Sequence, residues 1–302
     1  VIDVVHLTFQ YDGTDCPALD DVSLHIEAGQ FVILTGPSGC GKSTLALALG
    51  GYLFRQFTGQ AGGMVQVNGM DVRRSAIYDV AEVVGLVQQN PENQFCTLTV
   101  ADEVAFGLEN RRLPRAEIVE RVRWALGVVG ARHLSNRLLS TLSGGEKQKV
   151  AIAAMMAARP KVLILDEPTS NLDPTATAAI LRVIAGIRQH EAITVIVIEQ
   201  KLGYLRHLSP RGRFEPRVVR MEAGRIVPDG GQESVPAASS APSKTLEVCT
   251  VGIRPREERL QADTAIAVRD LCFAYQSDVP VLRNVSMDIP RGQFVAVMGD
   301  NG

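Results

Sequence analysis

Residues Phe31–Thr44 read FVILTGPSGCGKST, a short apolar run that passes directly into a glycine-rich loop ending in Lys-Ser-Thr. An apolar, β-rich run such as Phe31–Thr35 closed by glycine predicts a buried strand. The residues from Lys42 to about Leu53 suit a helix. Between them Gly36, Pro37, Ser38, Gly39, Cys40, Gly41, Lys42, Ser43 and Thr44 fit G-x-x-x-x-G-K-[ST], in the strand-then-helix context that motif requires. The backbone N–H groups of such a turn, with the helix N-terminus behind them, make an electropositive nest for phosphate oxygens. Side chains there would block close approach and forbid the turn, so glycine is needed. On this reading Lys42 reaches the β- and γ-phosphates of ATP and the Ser43 hydroxyl ligates Mg²⁺.

Further along, Val162–Leu165 (VLIL) and Ile193–Ile198 (ITVIVI) are continuous apolar runs, as strands of a largely parallel sheet buried on both faces should be. LILDEP places Asp166 and Glu167 at the C-terminal end of the first run, where open α/β sheets bind ligands. Two adjacent carboxylates there can divide the work, Asp166 holding Mg²⁺ through water and Glu167 polarising the attacking water as general base. By itself the pair reads equally well as two solvated acids; beside the phosphate loop the chemical reading gains. Thr99–Leu142 carries helical spacing with charge on one side, a small helical subdomain. The fold class is α/β with a helical insertion.

Composition leaves this reading room and removes others. Of the 302 residues, 46% are hydrophobic and 21% charged, an ordinary globular balance. Basic and acidic residues number 31 and 33, a net charge of -2, which gives no general attraction to nucleic acid or anionic lipid, although a local patch is compatible with it. Cys16, Cys40, Cys96, Cys249 and Cys272 show no regular spacing, which fits reduced thiols of the cytosol better than a disulfide framework. No apolar run approaches a membrane span; the one around Ala151–Ala158 is far too short. No basic-then-apolar leader opens the chain, so any membrane role is expected to come through a partner.

An internal repeat sets the layout. FQY followed by ALDDVSLHIEAGQFVILTGPSG near the start returns near the end as FAY followed by VLRNVSMDIPRGQFVAVMGDNG. Gly299 repeats Gly36 and Gly302 repeats Gly39, both at an offset of 263, whereas Tyr275 repeats Tyr11 at 264, so the intervening loop differs by one residue. Between the copies VPAASSAPS and RPREER cannot bury enough apolar surface to fold alone and read as a linker. The expected domains are 1–230, a linker at 231–263, and the opening of a second domain at 264–302. Starting at Val1 without methionine and stopping inside the second glycine loop, the chain is expected to be a fragment.

With these residues in place, 1–230 resembles the ATP-binding-cassette (ABC) transporter ATPase family. LSGGEKQKV at Leu142–Val150 looks like its signature loop, in the family's order ahead of the acidic strand. The resemblance implies a P-loop NTPase domain with a mostly parallel core sheet, an antiparallel β-subdomain and a helical subdomain. It also implies that Ser143, Gly144 and Gly145 contact the γ-phosphate bound by a facing domain, so that two domains sandwich two nucleotides. Tyr11 stands where the family stacks an aromatic ring on adenine, and is otherwise an ordinary strand residue. Gln89 looks like the glutamine that touches Mg²⁺ and relays to the membrane subunit, with neighbouring Gln88 as the alternative. Asp173 in SNLDP looks like the aspartate of the loop crossing between domains, and it can also serve as a helix-start turn before Pro174. NPENQ at Asn90–Gln94 followed by VADEVAFGLEN at Val100–Asn110 is similar to the energy-coupling-factor subgroup, which imports vitamins or transition-metal ions and includes chains with two fused cassettes.

Two positions depart from the family pattern. Where the family has a histidine that contacts the γ-phosphate, VIVIEQKL places Gln200, which can hydrogen-bond but carries neither charge nor proton. Glu146 stands where the signature loop commonly has glutamine. Three functions are expected from these residues. The first is an ATP-hydrolysing motor at the cytoplasmic face of a membrane importer, working with integral membrane subunits and a second cassette. The second is a soluble cassette protein acting on ribosomes or DNA. The third is a nucleotide-gated module whose first site turns over slowly because of Gln200.

Overall fold

The computed structural model describes residues 1–190, 193–200, 216–227, 264–276, 279–292 and 295, divided between two units, Val1–Val235 and Pro236–Gly302. The first unit opens with alternating sequence. In β1 (Ile2–Tyr11) the residues Ile2, Val4, Leu7 and Phe9 are buried, and in β2 (Leu19–Ile26) so are Leu19, Val22, Leu24 and Ile26. Pairing Ile2 with Ile26, Val4 with Leu24, Leu7 with Val22 and Phe9 with Leu19 puts all eight on one face. The alternation slips once in each strand, at irregularities where His6 and Asp21 take positive φ values of 50° and 57°. With β4 (Gly59–Val67) and β5 (Met70–Asp71) these strands form an antiparallel sheet ordered β2-β1-β4-β5.

The second sheet holds β3 (Phe31–Thr35), β6 (Val84–Val87), β7 (Val162–Asp166), β8 (Thr194–Ile198), β9 (Arg217–Glu222) and β10 (Arg225–Val227), in the order β10-β9-β3-β8-β7-β6. All its pairings are parallel except that of β9 with β10. Every residue of β3, β6, β7 and β8 is buried, because the sheet is covered on both faces. Leu163, Leu165, Val195 and Val197 face one core together with the helices α4 (Val100–Asn110), α5 (Arg115–Val128), α6 (Gly144–Ala157) and α7 (Pro174–His190). Val162, Ile164, Ile196 and Ile198 face a second core shared with α1 (Lys42–Leu49), the short α2 (Leu53–Gln56), α3 (Ile77–Val83) and the antiparallel sheet. Uninterrupted apolar runs are what this two-sided burial selects.

The helix expected from Lys42 to about Leu53 is shorter. It ends at Leu49, where the Gly50 N–H donates to Ala46 O at 3.0 Å to close the last turn and Gly51 turns the chain at φ 77°. The helical expectation for Thr99–Leu142 resolves into α4, α5 and two 3₁₀ turns, Arg132–Leu134 and Leu139–Thr141, with Thr99 capping α4 by accepting the Asp102 N–H at 3.3 Å. Among the described residues no helix is long and apolar enough to cross a membrane, and Cys16, Cys40, Cys96 and Cys272 are free thiols.

The second unit contributes a hairpin, β11 (Thr264–Gln276) and β12 (Val279–Pro290). Its register pairs Ile266 with Ile289, Val268 with Met287, Leu271 with Val285 and Phe273 with Leu282. These are the repeat equivalents of the four β1–β2 pairs. The bulge recurs too: Asp270 takes φ 47° at the place of His6, and its N–H donates to Ser286 Oγ at 2.8 Å as the His6 N–H donates to Ser23 Oγ at 3.0 Å. The stretch expected as a linker, 231–263, and the second glycine loop lie outside the described residues.

Candidate nucleotide site

Parallel register decides which residues meet. Leu34 of β3 pairs with Ile198 of β8, and Ile198 pairs with Asp166 of β7. Three strands therefore end in one row, and the segments leaving them converge there: the glycine loop after β3, Glu167 after β7 and Gln200 after β8.

The loop is glycine for steric reasons that can be measured. Gly36 has φ 149°, and a Cβ on it would lie 2.1 Å from the Met221 carbonyl oxygen. Gly41 has φ 103°, and its Cβ would lie 2.3 Å from the Ala18 carbonyl oxygen. Gly41 also stands at the N-cap of α1, where no side chain caps the helix, so the first-turn N–H groups remain available to an anion. Lys42 is 4% exposed and points into the loop, its ammonium donating to the carbonyls of Gly36 at 3.0 Å and Pro37 at 2.8 Å. Cys40 Sγ lies 3.8 Å from the same nitrogen. Tyr11 shares a hydrogen bond with Thr44 Oγ1 at 3.2 Å, and its ring is held edge-on by Phe9 and Phe57 at centroid distances of 4.9 and 5.6 Å. An aromatic face thus sits beside the end of the phosphate loop.

Asp166 is 9% exposed and hydrogen-bonds the Ser43 hydroxyl, while its Oδ1 has no protein partner. Burial pushes its carboxyl above the ordinary range; the Ser43 hydrogen bond pulls it back, the Glu167 charge adds to the rise and the Lys42 ammonium opposes it. A buried carboxylate oxygen with no partner beside a serine hydroxyl suits a hard divalent cation. Mg²⁺ takes one or two carboxylates together with substrate phosphate oxygens rather than an all-protein cage. Among the described residues no cluster of three or more His, Cys, Asp or Glu is present.

Glu167 turns away from the strand at φ 45°. Such a conformation costs about 1–2 kcal/mol in a residue with a side chain, and backbone bonds hold it: the Glu167 N–H donates to Ile198 O at 3.0 Å and its carbonyl accepts the Ser170 N–H at 3.0 Å. Both carboxylate oxygens carry amide donors, Gln89 Nε2 on Oε2 at 3.0 Å and Gln200 Nε2 on Oε1. Gln88, the alternative to Gln89, instead lines a small cleft beside Asp166, Leu47 and Leu86.

Ser143 forms a capping box at the start of α6. Its hydroxyl accepts the Glu146 N–H at 3.4 Å, and its own N–H donates to Glu146 Oε2 at 2.8 Å. Arg137 lies 3.5 Å from the other Glu146 oxygen, so the acid at this position is partly neutralised. Asp173 starts α7, Oδ1 accepting the Ala176 N–H at 2.8 Å, with Pro174 as the first helical residue. Among the described residues no hydrogen bond joins Ser143, Gly144, Gly145 or Asp173 to the phosphate loop. The sequence-predicted residues therefore form two groups: Tyr11, Gly36–Thr44, Gln89, Asp166, Glu167 and Gln200 around the strand ends, and the signature residues with Asp173 at the adjoining starts of α6 and α7, where Gly144 faces Leu172 and Gly145 faces Ala176.

Several residues went unread in the sequence. Glu199, 4% exposed, accepts the Thr169 hydroxyl at 2.5 Å and the Gln200 N–H at 3.0 Å. The Gln94 side chain clamps β6, accepting the Gln88 N–H and donating to Leu86 O, both at 2.9 Å. Glu92 pairs with Lys147 in the first turn of α6. A carboxylate immediately after four buried apolar residues was the available signal for Glu199; Glu92 and Gln94 lie in NPENQ, which was read for its family resemblance and not for these contacts.

Comparison with known proteins agrees with this geometry. The family model described as ABC transporter matches residues 19–170. The energy-coupling factor transporter ATP-binding protein EcfA1 of Levilactobacillus brevis is 43% identical over 238 residues, covering 78% of this chain and 79% of that protein. A putative ABC transporter ATP-binding protein of Methanosarcina acetivorans is 33% identical over 98% of this chain, which spans only 55% of that relative's length. Among solved structures, cbiO1 of Clostridium perfringens, described as part of the ABC transporter complex cbiONQ, superposes with a TM-score of 0.65 at 31% identity, over 75% of this chain and 86% of that one. On the matched family model, these relatives and the shared fold, the chain belongs to the ABC transporter family and carries the ATPase domain of that family.

Proposed function

We propose that this chain is part of the ATP-hydrolysing motor of a membrane importer of the energy-coupling-factor type, with a vitamin or a transition-metal ion as cargo. ATP binds at Gly36–Thr44 with its adenine against Tyr11. Lys42, drawn off the loop carbonyls, takes the β- and γ-phosphates. Ser43, Asp166 and Gln89 would hold Mg²⁺, which would neutralise phosphate charge and orient the γ-phosphate. Glu167 accepts the proton of the attacking water. Ser143, Gly144 and Gly145 serve the nucleotide of a facing cassette, and 264–302 opens a second cassette. That division of labour is supported by the two groups of residues and by the recurring hairpin register. The energy-coupling-factor assignment draws on the EcfA1 and cbiO1 relatives. Membrane subunits and a place at the cytoplasmic membrane face belong to the same proposal.

The observation that carries the catalytic reading is the Glu167 carboxylate held by Gln89 and Gln200 beside the phosphate loop. The same observation favours slow turnover at this site, since an amide supplies a dipole where an imidazole supplies charge and a titrating proton. The test is steady-state ATP hydrolysis by the full-length protein. Glu167→Gln should lower turnover while ATP binding persists, and Gln200→His should raise the rate several-fold. Unchanged turnover in Glu167→Gln would remove Glu167 from the chemistry, and an unchanged rate in Gln200→His would remove the slow-site reading. Failure of the protein to co-purify with integral membrane proteins would count against the importer.

A further inference from the structure

Glu199 is a buried carboxylate, 4% exposed, to which the proposed function gives no role. Burying such a group is costly unless hydrogen bonds replace its hydration. Here Oε2 accepts the Thr169 hydroxyl at 2.5 Å and Oε1 accepts the Gln200 backbone N–H at 3.0 Å, with Thr169 itself 5% exposed. The two donors come from different segments, one beyond the end of β8 and the other beyond the end of β7. Around them the bonds close into a ring. The Gln200 side chain donates to Glu167, the Glu167 carbonyl accepts the Ser170 N–H at 3.0 Å, and Ser170 adjoins Thr169. Just beyond the ring, Asp173 caps α7.

We propose that Glu199 is a positioning residue that fixes the Gln200 backbone and the Thr169–Asp173 turn in one frame, so that Glu167 and the Gln200 amide keep their alignment. The proposal rests on the reading of Glu167 as the base. A carboxylate fits the task because it has only acceptors and can serve both segments at once. A glutamine in its place keeps one acceptor for the Gln200 N–H and turns its amide toward Thr169, whose hydroxyl can rotate to accept.

The experiment compares Glu199→Ala, Glu199→Gln, Thr169→Val and the Glu199→Ala/Thr169→Val double variant in the full-length protein, with Glu167→Gln as control. Equilibrium ATP binding, KM and kcat are measured for each. Misplacing the base by a fraction of an ångström should lower kcat about ten- to a hundred-fold in Glu199→Ala, with KM and ATP affinity within about twofold. Glu199→Gln should recover most of the loss, and the double variant should be no worse than Glu199→Ala, because both act through one ring. If Glu199→Ala does not fold, Thr169→Val carries the test, since it keeps the carboxylate and removes a single hydroxyl. Wild-type kcat in Thr169→Val, or ATP affinity falling in step with kcat, overturns the proposal. Turnover lost in Glu167→Gln but unaffected by the ring variants refutes the positioning role alone. Turnover retained in Glu167→Gln refutes the base reading and the positioning role with it.

Discussion

Replacing Asp166 by asparagine should move stability in opposite directions with and without nucleotide. In the ligand-free protein Asp166 is buried, its Oδ1 lacks a protein partner, and burial is the largest influence raising its carboxyl above the ordinary 3.8. The native state therefore binds this proton more tightly than the unfolded chain does. Just above 3.8 the native state holds more protons than the unfolded one, so stability falls as pH rises through that window and stays lowered at neutral pH. Asparagine keeps the shape and removes the charge, at the cost of placing an amide where Oδ1 had no donor facing it. The net gain is about 1 kcal/mol, against the 1–3 kcal/mol scale for burying a poorly satisfied polar group. For a folded unit of this size that amounts to a rise of about 2–4 °C in the melting temperature. With Mg²⁺ and ATP the sign reverses. Saturating ligand at about a hundred times Kd stabilises by about 2.7 kcal/mol, and a variant without the carboxylate should lose at least half of that. Differential scanning fluorimetry at about pH 5 and about pH 7.5, with and without Mg²⁺-ATP, reads all four arms. A ligand-free variant less stable than the wild type at the higher pH, or one that retains the full Mg²⁺-dependent shift, would refute the reasoning.

Gly41→Ala should destabilise the ligand-free fold by about 3 kcal/mol, combining the strained φ with a backbone clash. Gly13→Ala, at φ 79° with open space around it, should cost about 1–2 kcal/mol. Urea denaturation of the two variants separates clash from conformation, and equal losses would show that the Ala18 carbonyl yields. Glu92→Ala should cost about 0.5–1 kcal/mol, because it leaves the Lys147 ammonium uncompensated in the first turn of α6, where the helix dipole is positive. That loss should shrink in about 0.5 M salt, and a loss insensitive to salt would mean that Glu92 acts through packing.

What could be read in the sequence was what lies close together along it. The phosphate loop is contiguous, and its glycines announce a backbone that no other residue fits, as the 2.1 and 2.3 Å approaches at Gly36 and Gly41 show. The apolar runs of β3, β7 and β8 were legible because a sheet covered on both faces leaves no polar alternation to confuse with a helix. The early end of α1 was legible in principle, since Gly50–Gly51 is a stop signal that the apolar pattern through Leu53 obscured. Contacts between distant segments were not legible. Thr169 and Glu199 meet only because β7 and β8 lie side by side with Asp166 level with Ile198, and no local pattern encodes that neighbourhood. The Gln94 clamp on β6 escaped for a related reason: a glutamine in a polar segment gives no hint that its amide completes the open edge of a strand.

The register also bears on why Gln200 matters more than a single contact would. Around Glu167 the fold arranges two amides, a lysine held by loop carbonyls and a second carboxylate, Asp166, already raised by burial. In the proposed mechanism, compensation for the γ-phosphate would come mainly from Lys42, the uncapped start of α1 and an Mg²⁺ held beside Ser43 and Asp166, all on the phosphate-loop side. On the opposite side, where the water attacks, the described residues offer the Glu167 carboxylate and the neutral amides of Gln89 and Gln200. A helix N-terminus such as that of α6, brought in by a facing cassette, is the kind of group that could make up the difference, because its N–H groups are fixed before the reaction begins. The slow turnover we propose for this site and the proposed dependence on a facing signature loop thus follow from the same charge distribution.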